Sequence, residues 1–172
     1  MVKKNIDDKV VNDFGKEWEV FNHQDMNQSL LDSAFDSYFH LFPFEDLIDG
    51  EGFDMGCGSG RWAKFVAPRV GFLNCIDPSE AALEQAKINL QYSKNCLFEC
   101  EGVDGNSLKD HSQDFGYSLG VLHHIPDTSL ALQACAKKLK PGAPFLLYLY
   151  YRFDNKPKAT IYFGKSLIFS EE

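Results

Sequence analysis

A glycine-rich loop behind an aspartate is the first feature of this sequence that could do chemistry. In FDMGCGSGRW, residues 53–62, Gly56, Gly58 and Gly60 follow Asp54. Glycines after a strand permit a tight turn and let a ligand touch the main chain, and the next helix presents free N–H groups. Such a cluster is also typical of a plain turn. The loop is therefore a candidate ligand cradle, and its surroundings must decide.

The charges beside the loop indicate what kind of ligand it would take. A dinucleotide-binding loop reads GxGxxG, but here the third glycine comes one place early and Arg61 stands in the expected position. The Asp54 carboxylate would lie near a pyrophosphate, and only Arg61 is close enough to offset it. A cationic ligand therefore fits better than a nicotinamide dinucleotide. Arg61 itself could pair with Glu51, with an acidic substrate or with nothing.

Two further acids follow predicted strands. Asp77 comes about 20 residues after the loop, where a carboxylate can accept hydrogen bonds from both hydroxyls of a ribose. It could equally cap the next helix, with Pro78 in the first helical position. Asp104, followed by Gly105 and Asn106, could accept the amino group of an adenine or form an Asp-Gly turn.

Two adjacent histidines, in GVLHHIPD, follow the fourth predicted strand. A histidine titrates near neutrality and can take the proton of a hydroxyl or an ammonium group. We predict that His124 is a general base and that His123 is its alternative. The competing interpretation is that the pair only braces its loop.

The elements that would position these residues alternate between strand and helix. From Gly52 onward the predicted strands are GFDM, FLNCID, CLFEC, FGYSLGVL and PFLLYLYY. Helices are predicted over DPSEAALEQAKINL and over DTSLALQACAKKLK, the latter with Leu130, Ala134 and Leu139 on its inner side. The alternation predicts an α/β fold, an open and mainly parallel sheet of about five strands with helices on both faces. Ligands bind such sheets beyond the carboxyl ends of the strands.

An N-terminal helical cap is predicted over residues 1–50, in the same domain as a core at 51–153 and a short tail at 154–172. Its aromatic residues recur at helical spacing and would cover the sheet or close over a ligand. They fall into two groups: Val11, Phe14, Trp18 and Phe21, then Phe35, Tyr38, Phe39 and Phe42.

Composition narrows the class of protein. The 172 residues are 44% hydrophobic, enough for one domain with a core, and the net charge of -8 disfavours nucleic acid as a partner. The chain shows no secretory leader and no apolar run of membrane-spanning length, so a cytoplasmic protein without a membrane partner is expected. Five cysteines without a CxxC pair predict reduced core residues and no metal site: Cys57, Cys75, Cys96, Cys100 and Cys135.

Taken in order, FDMGCGSG, CIDPSEAALEQAK, DGNSL, SLGVLHHIPD and LKPGAPFLLY resemble the motifs of class I S-adenosylmethionine-dependent methyltransferases, in the small-molecule branch. The resemblance covers about Phe53 to Tyr151. It implies a Rossmann-like sheet of order 3-2-1-4-5, S-adenosylmethionine as cofactor, S-adenosylhomocysteine as product and a small-molecule acceptor. The alternative function is a domain that binds the cofactor without turnover.

The resemblance also implies roles for particular residues. In related phosphoethanolamine methyltransferases a histidine that corresponds most nearly to His124 assists catalysis. The methionine end of the cofactor would lie against Asp54, Gly56 and Gly58, the ribose against Asp77, the adenine against Asp104, Gly105 and Asn106, with Leu119 and Gly120 beneath the cofactor and Cys57, Gly60 and Pro78 as further contacts.

Two departures from the family pattern carry expectations. Gly52 stands where a branched apolar residue is usual, which predicts a frayed first strand. The family also continues past the fifth strand with a helix and two more strands, whereas DNKPKATIYFGKSLIFSEE has room for one short element. A shortened chain with its fifth strand at the sheet edge is expected. We expect the tail, or preferably a second copy in a two-fold dimer, to cover that edge.

Overall fold

The structure, a computed structural model, describes residues 5–7, 9, 11 and 28–150, together with the backbone of a strand at 167–169. The predicted cap residues Phe14, Trp18 and Phe21 lie outside the described residues. The strands are β1 Glu51–Met55, β2 Phe72–Ile76, β3 Cys96–Glu99, β4 Phe115–Leu119, β5 Phe145–Tyr148 and β6 Leu167–Phe169. The helices are α1 Gln28–Phe39, α2 Ala63–Val66, α3 Glu80–Asn89 and α4 Thr128–Lys138, with short 3₁₀ helices at Phe44–Asp46, Ala67–Arg69 and Leu122–His124.

The strands form one open sheet of order β3-β2-β1-β4-β5-β6. The first five are parallel, which confirms the predicted order, and β6 runs antiparallel to β5 with Leu147 opposite Leu167. The tail therefore pairs with the β5 edge. We preferred a second copy of the chain at this edge, but the chain's own β6 lies there and hydrogen-bonds to the free backbone groups of β5.

Strand β1 is not frayed, contrary to expectation. It is central in the sheet, and two Phe-on-Gly contacts join it to β4. Gly52 faces Phe115 and Phe53 faces Gly116 in register. A Cβ on Gly52 would lie 2.5 Å from the Phe115 ring, and one on Gly116 would lie 2.4 Å from the Phe53 ring. Each glycine thus leaves the space that a buried phenylalanine fills, and a branched residue at Gly52 would not fit.

Helices cover both faces of the sheet. On one face, α1, α2 and α3 pack in a cluster that contains Phe35, Phe39 and Tyr117; the Phe39 and Tyr117 ring centroids are 5.4 Å apart. On the other face, α4 contributes Ala131 and Cys135. Of the residues predicted for the inner face of this helix, Leu139 is buried but Leu130 is 52% exposed. The buried face lies one residue further along the chain than predicted, at Ala131 and Cys135.

The helix caps and the cysteines also correct the sequence interpretation. Ser79, not Asp77, caps α3, because its side chain accepts from the Ala82 N–H at 3.3 Å. Asp77 lies two residues earlier and accepts instead from the Ser79 N–H. All five cysteines are free, but Cys96 is only half-buried and Cys100 is exposed. None of the helices in the described part of the chain has the length and apolarity to cross a bilayer.

Candidate functional site

A cavity of about 370 Å³ lies beyond the carboxyl ends of the parallel strands. Its size falls within the range of about 300–1,000 Å³ that is usual for small-ligand sites. The walls come from the turns after β1, β2, β3 and β4, at residues 56–58, 77–79, 101–103 and 119–122, with residues 5–7 on the N-terminal side. This is the position at which open α/β sheets bind their ligands.

The glycine-rich loop is tied to the neighbouring strand. The N–H groups of Gly56 and Cys57 donate to the Ile76 carbonyl at 2.8 and 3.1 Å. Gly56 has φ of 79°, and a Cβ there would lie 2.4 Å from Cγ1 of Val121. Since neither the backbone conformation nor the space admits a side chain, the main chain itself forms this part of the cavity wall.

Asp77 is held firmly on the opposite side of the loop. Its Oδ2 accepts from the Gly58 N–H and its Oδ1 from the Ser79 N–H, each at 2.9 Å. Burial raises the pKa of Asp77, and these two N–H donors oppose the rise. Each carboxylate oxygen can accept a second hydrogen bond. Asp77 therefore offers a fixed acceptor pair to the cavity.

Asp54, by contrast, does not reach the cavity wall. It lies within the sheet, 2% exposed, in register with Cys75 and Tyr117. Burial raises its pKa to about 8, an effect that Tyr117 and Arg61 offset only in part. Its Oδ2 has no well-formed hydrogen bond among the described residues. Burial therefore favours the neutral form of the group, and Asp54 is not among the described residues that line the cavity.

The residues predicted to contact an adenine are also absent from the described cavity lining. The Asp104 carboxylate accepts from the Asn5 N–H at 3.2 Å, and the Asn106 amide donates to the Val103 carbonyl at 2.8 Å. Gly105 is exposed. The cavity is lined on this side by residues 101–103 and by Asn5, whose side chain donates to the Asp127 carbonyl at 2.8 Å. Asp104 thus contacts the N-terminal segment, and its contact with an adenine stays a prediction.

The two histidines differ in their position relative to the cavity. His124 lines the cavity, whereas His123 is not among the described lining residues. Their ring centroids are 3.9 Å apart, and His123 makes an edge contact of 4.7 Å with Tyr150. Burial, and then the neighbouring His124, lower the pKa of His123 to about 4; burial also lowers the pKa of His124. Both rings are therefore neutral at pH 7, and His124 is the one placed to meet a ligand.

The cavity thus gathers part of the predicted site. Among the described residues it is lined by eight of those predicted: Gly56, Cys57, Gly58, Asp77, Pro78, Leu119, Gly120 and His124. Six do not line it: Asp54, Gly60, Asp104, Gly105, Asn106 and His123.

Gly60 turns away from the cavity because it packs on α3. A Cβ there would lie 2.4 Å from a methyl group of Leu90. Sequence reasoning missed Glu101 and Tyr150, both of which line the cavity. Glu101 follows β3, and its place in EGVDGNSL, three residues before Asp104, was a usable signal. Tyr150 follows β5 and offered no such signal, because its place depends on how β5 packs beside β4.

The charged groups on the wall are mainly acidic. The cavity is lined by three acidic residues and, among the described residues, by one basic residue, Arg61; the acids are Asp7, Asp77 and Glu101. An acid-lined cavity with one guanidinium suits a ligand that carries positive charge and also an acidic group. The glycine cradle and the fixed Asp77 acceptors fit a ligand with a ribose.

Comparison with known proteins agrees with this geometry. Residues 53–147 match the methyltransferase domain family. Over 128 residues the chain is 30% identical to a ubiquinone biosynthesis O-methyltransferase of Neisseria meningitidis, covering 68% of this chain and 52% of that protein. The chain spans about half the length of the curated relatives it matches.

Two solved structures share the fold. A putative S-adenosyl-L-methionine-dependent methyltransferase of Methanococcus maripaludis superposes with a TM-score of 0.65 at 18% identity, covering 87% of this chain and 66% of the other. Phosphoethanolamine N-methyltransferase 1 of Haemonchus contortus was solved with phosphoethanolamine and S-adenosylhomocysteine. It superposes with a TM-score of 0.67 at 15% identity, covering 86% of this chain and 34% of the other. With its 3-2-1-4-5 parallel sheet and its match over residues 53–147, the chain belongs to the methyltransferase domain family, in the class I S-adenosylmethionine-dependent group.

Proposed function

We propose that the chain binds S-adenosylmethionine in this cavity and transfers its methyl group to a small-molecule acceptor. The observation that carries the proposal is the Asp77 carboxylate, held by Gly58 and Ser79 beside a glycine loop, with His124 among the residues that line the same cavity. The acidic lining fits a sulfonium and an ammonium group, and the bare backbone at Gly56 leaves room for close approach.

The cavity residues would mainly bind and orient. When bound, S-adenosylmethionine supplies the electrophile: the acceptor's lone pair forms a bond to the methyl carbon as the carbon–sulfur bond breaks, and that bond's electron pair stays on sulfur. Asp77 would accept hydrogen bonds from the ribose, and Leu119 and Gly120 would support the cofactor from below. Such alignment in a site shielded from water can supply most of the rate enhancement.

His124 would take the proton that an oxygen or nitrogen acceptor loses. Burial lowers its pKa, so that the ring is neutral and able to accept a proton at pH 7. The residue is also exposed enough to pass the proton on to solvent. The relatives named as ubiquinone biosynthesis O-methyltransferases support a small molecule as the acceptor.

Titration of the chain with S-adenosylhomocysteine tests the proposal. We expect saturable binding, and we expect Asp77→Ala to weaken it by about 1–3 kcal/mol, because charge-assisted hydrogen bonds to the ribose are lost. Asp110→Ala, which removes a surface carboxylate paired with Lys137 and Lys138, is the control and should bind as wild type does. Absence of binding by the folded wild-type chain would refute the proposal.

Turnover is tested separately, by release of S-adenosylhomocysteine from S-adenosylmethionine in the presence of a panel of hydroxyl and amine acceptors. We expect acceptor-dependent release. Tight binding without transfer across the panel would instead favour a domain that binds the cofactor without turnover.

A further inference from the structure

A line of aromatic rings lies beside β5, and of its members only Tyr150 is among the described residues that line the cavity. We call it the aromatic wall, and successive ring centroids along it are 4.7–5.3 Å apart. It begins beside Arg61 and ends beside His124, both of which line the cavity. In order, its members are Trp62, Tyr38, Tyr148, Tyr150 and His123.

Arg61 stands at one end of this wall without an ion pair in the described part of the chain. Its guanidinium lies 4.5 Å from the centroid of the Trp62 ring. Its Nε is buried and has no hydrogen-bond partner among the described residues. Glu51, the partner considered from the sequence, lies at the other end of β1, where its carboxylate accepts from the Asn74 and Gln113 side-chain amides. A buried, unpaired donor of this kind is costly unless a ligand satisfies it.

Arg61 is also connected to the β5 side of the sheet through its contact with Trp62. The Trp62 ring beside it contacts Tyr38 at 5.3 Å, and Tyr38 contacts Tyr148 of β5 at 5.0 Å, both measured between ring centroids. Asp77 follows β2, and β2 and β5 lie on opposite sides of β1 in the sheet. These ring contacts connect Arg61 to the side of the sheet that contains Tyr148 and Tyr150, whereas the Asp77 acceptors proposed for the ribose follow β2.

We propose that Arg61 binds a carboxylate group of the methyl acceptor, so that the substrate is a small acid whose nucleophile lies near His124. The inference rests on the proposed function and narrows its substrate class. Arg61 and His124 mark the two ends of one wall, with Tyr150 between them. An acceptor held by its acidic group at Arg61 would lie against Tyr150, which lines the same cavity, and present its hydroxyl or amine to His124.

The charges favour a carboxylate over a phosphate. A planar guanidinium pairs with a carboxylate through two parallel N–H···O bonds. One such cation balances one carboxylate, whereas a doubly charged phosphate would leave excess negative charge beside Asp7, Asp77 and Glu101. The Tyr150 hydroxyl could serve as a further donor on the same side, since it lies 3.9 Å from the position that a Cβ on Gly120 would take.

Matched pairs of acids and their amides test the proposal on the full chain loaded with S-adenosylhomocysteine. The pairs are 4-hydroxybenzoate with 4-hydroxybenzamide, glycine with glycinamide, and lactate with lactamide, each titrated calorimetrically. We expect at least one acid to bind about 10–100-fold more tightly than its amide, the range of a charge-assisted hydrogen-bonded pair. Arg61→Gln should abolish that preference, and Arg61→Lys, which keeps the charge but not the planar fork, should retain part of it.

Two controls test whether the preference depends on Arg61 in particular and whether Arg61 holds the acceptor's carboxylate rather than the cofactor's. Lys64→Gln removes an exposed positive charge three residues along the chain and should leave the preference intact. Titration of Arg61→Gln with S-adenosylhomocysteine alone shows whether the arginine holds the cofactor's own carboxylate. We expect affinity within about threefold of wild type, and a loss as large as the loss for the acid would overturn the inference.

Equal binding of acids and amides by the wild-type complex, across the whole panel, would also overturn it while leaving the proposed function in place. Failure of the wild-type chain to bind S-adenosylhomocysteine at all would refute both. The two failures are therefore distinguishable in one series of titrations.

Discussion

Replacing Asp54 with asparagine tests whether the centre of the sheet holds a neutral carboxylic acid. The side chain is 2% exposed, and burial raises its pKa from the ordinary value of 3.8 to about 8. Because the folded-state pKa is the higher one, the folded protein binds a proton that the unfolded chain releases between these two pH values. The stability that Asp54 contributes is therefore complete below about pH 4 and is lost as pH rises towards 8.

The size of the effect follows from the shift. Each pH unit between the two pKa values costs about 1.4 kcal/mol, so raising pH from 5.5 to 7.5 should remove about 2–3 kcal/mol from the wild type. Asparagine does not titrate and should lose nothing by this route. The difference in unfolding free energy between Asp54→Asn and wild type should thus move by about 2–3 kcal/mol in favour of the variant.

Urea unfolding of both proteins at pH 5.5 and 7.5 measures this difference. Titration of other groups, such as His123 with its lowered pKa, occurs in both proteins and cancels. Asp114→Asn is the matched control. Partial burial tends to raise the pKa of Asp114, but hydrogen bonds from Lys140 and the Glu51 N–H outweigh this effect and keep the pKa low. Asp114 is therefore ionised in both states, and its difference should not change with pH. A pH-independent difference for Asp54→Asn would show that the buried group is ionised, contrary to our reasoning.

Three further changes test the loop, the base and a cap. Gly56→Ala should destabilise the fold by about 1–3 kcal/mol, because φ is 79° and the new methyl group would meet Val121; unchanged unfolding would show that the loop adapts. His124→Ala should slow transfer by about 10²–10⁴-fold while affinity for S-adenosylhomocysteine stays near wild type, and equal loss of both would indicate a bracing role. Ser79→Ala should cost about 1 kcal/mol in thermal or urea unfolding through the lost cap on the Ala82 N–H, and no loss would exclude that cap as a source of stability.

The sheet was predictable because its signals are local. Each of the five parallel strands is an apolar, β-rich run bounded by turn residues, and the predicted runs overlap the observed strands from β1 to β5. The order followed from the resemblance in the motifs and is confirmed. Local signals were weaker for the helix faces: Leu130 was placed inside and is exposed, because Ala131 and Cys135 make the packed side of α4.

Only part of the site could be predicted in the same way. Gly58 and Asp77 are far apart in the chain but follow adjacent strands, and the Gly58 N–H donates to the Asp77 carboxylate at 2.9 Å. That meeting follows from strand order alone. Asp104 also follows a strand, yet its carboxylate accepts from Asn5, a contact between residues 99 positions apart that no local pattern indicates.

By itself, then, the sequence determined the glycine loop, the strand alternation and the candidate acids and bases, because each depends on backbone preference or side-chain chemistry at one place. Tertiary structure alone decided which of them line the cavity. It buried Asp54 within the sheet, where its pKa is raised, and it placed His124 but not His123 among the described residues that line the cavity. It also left the Arg61 Nε without a hydrogen-bond partner among the described residues. Burial and pairing depend on groups that distant segments bring together, and desolvation acts on the assembled site rather than on the chain.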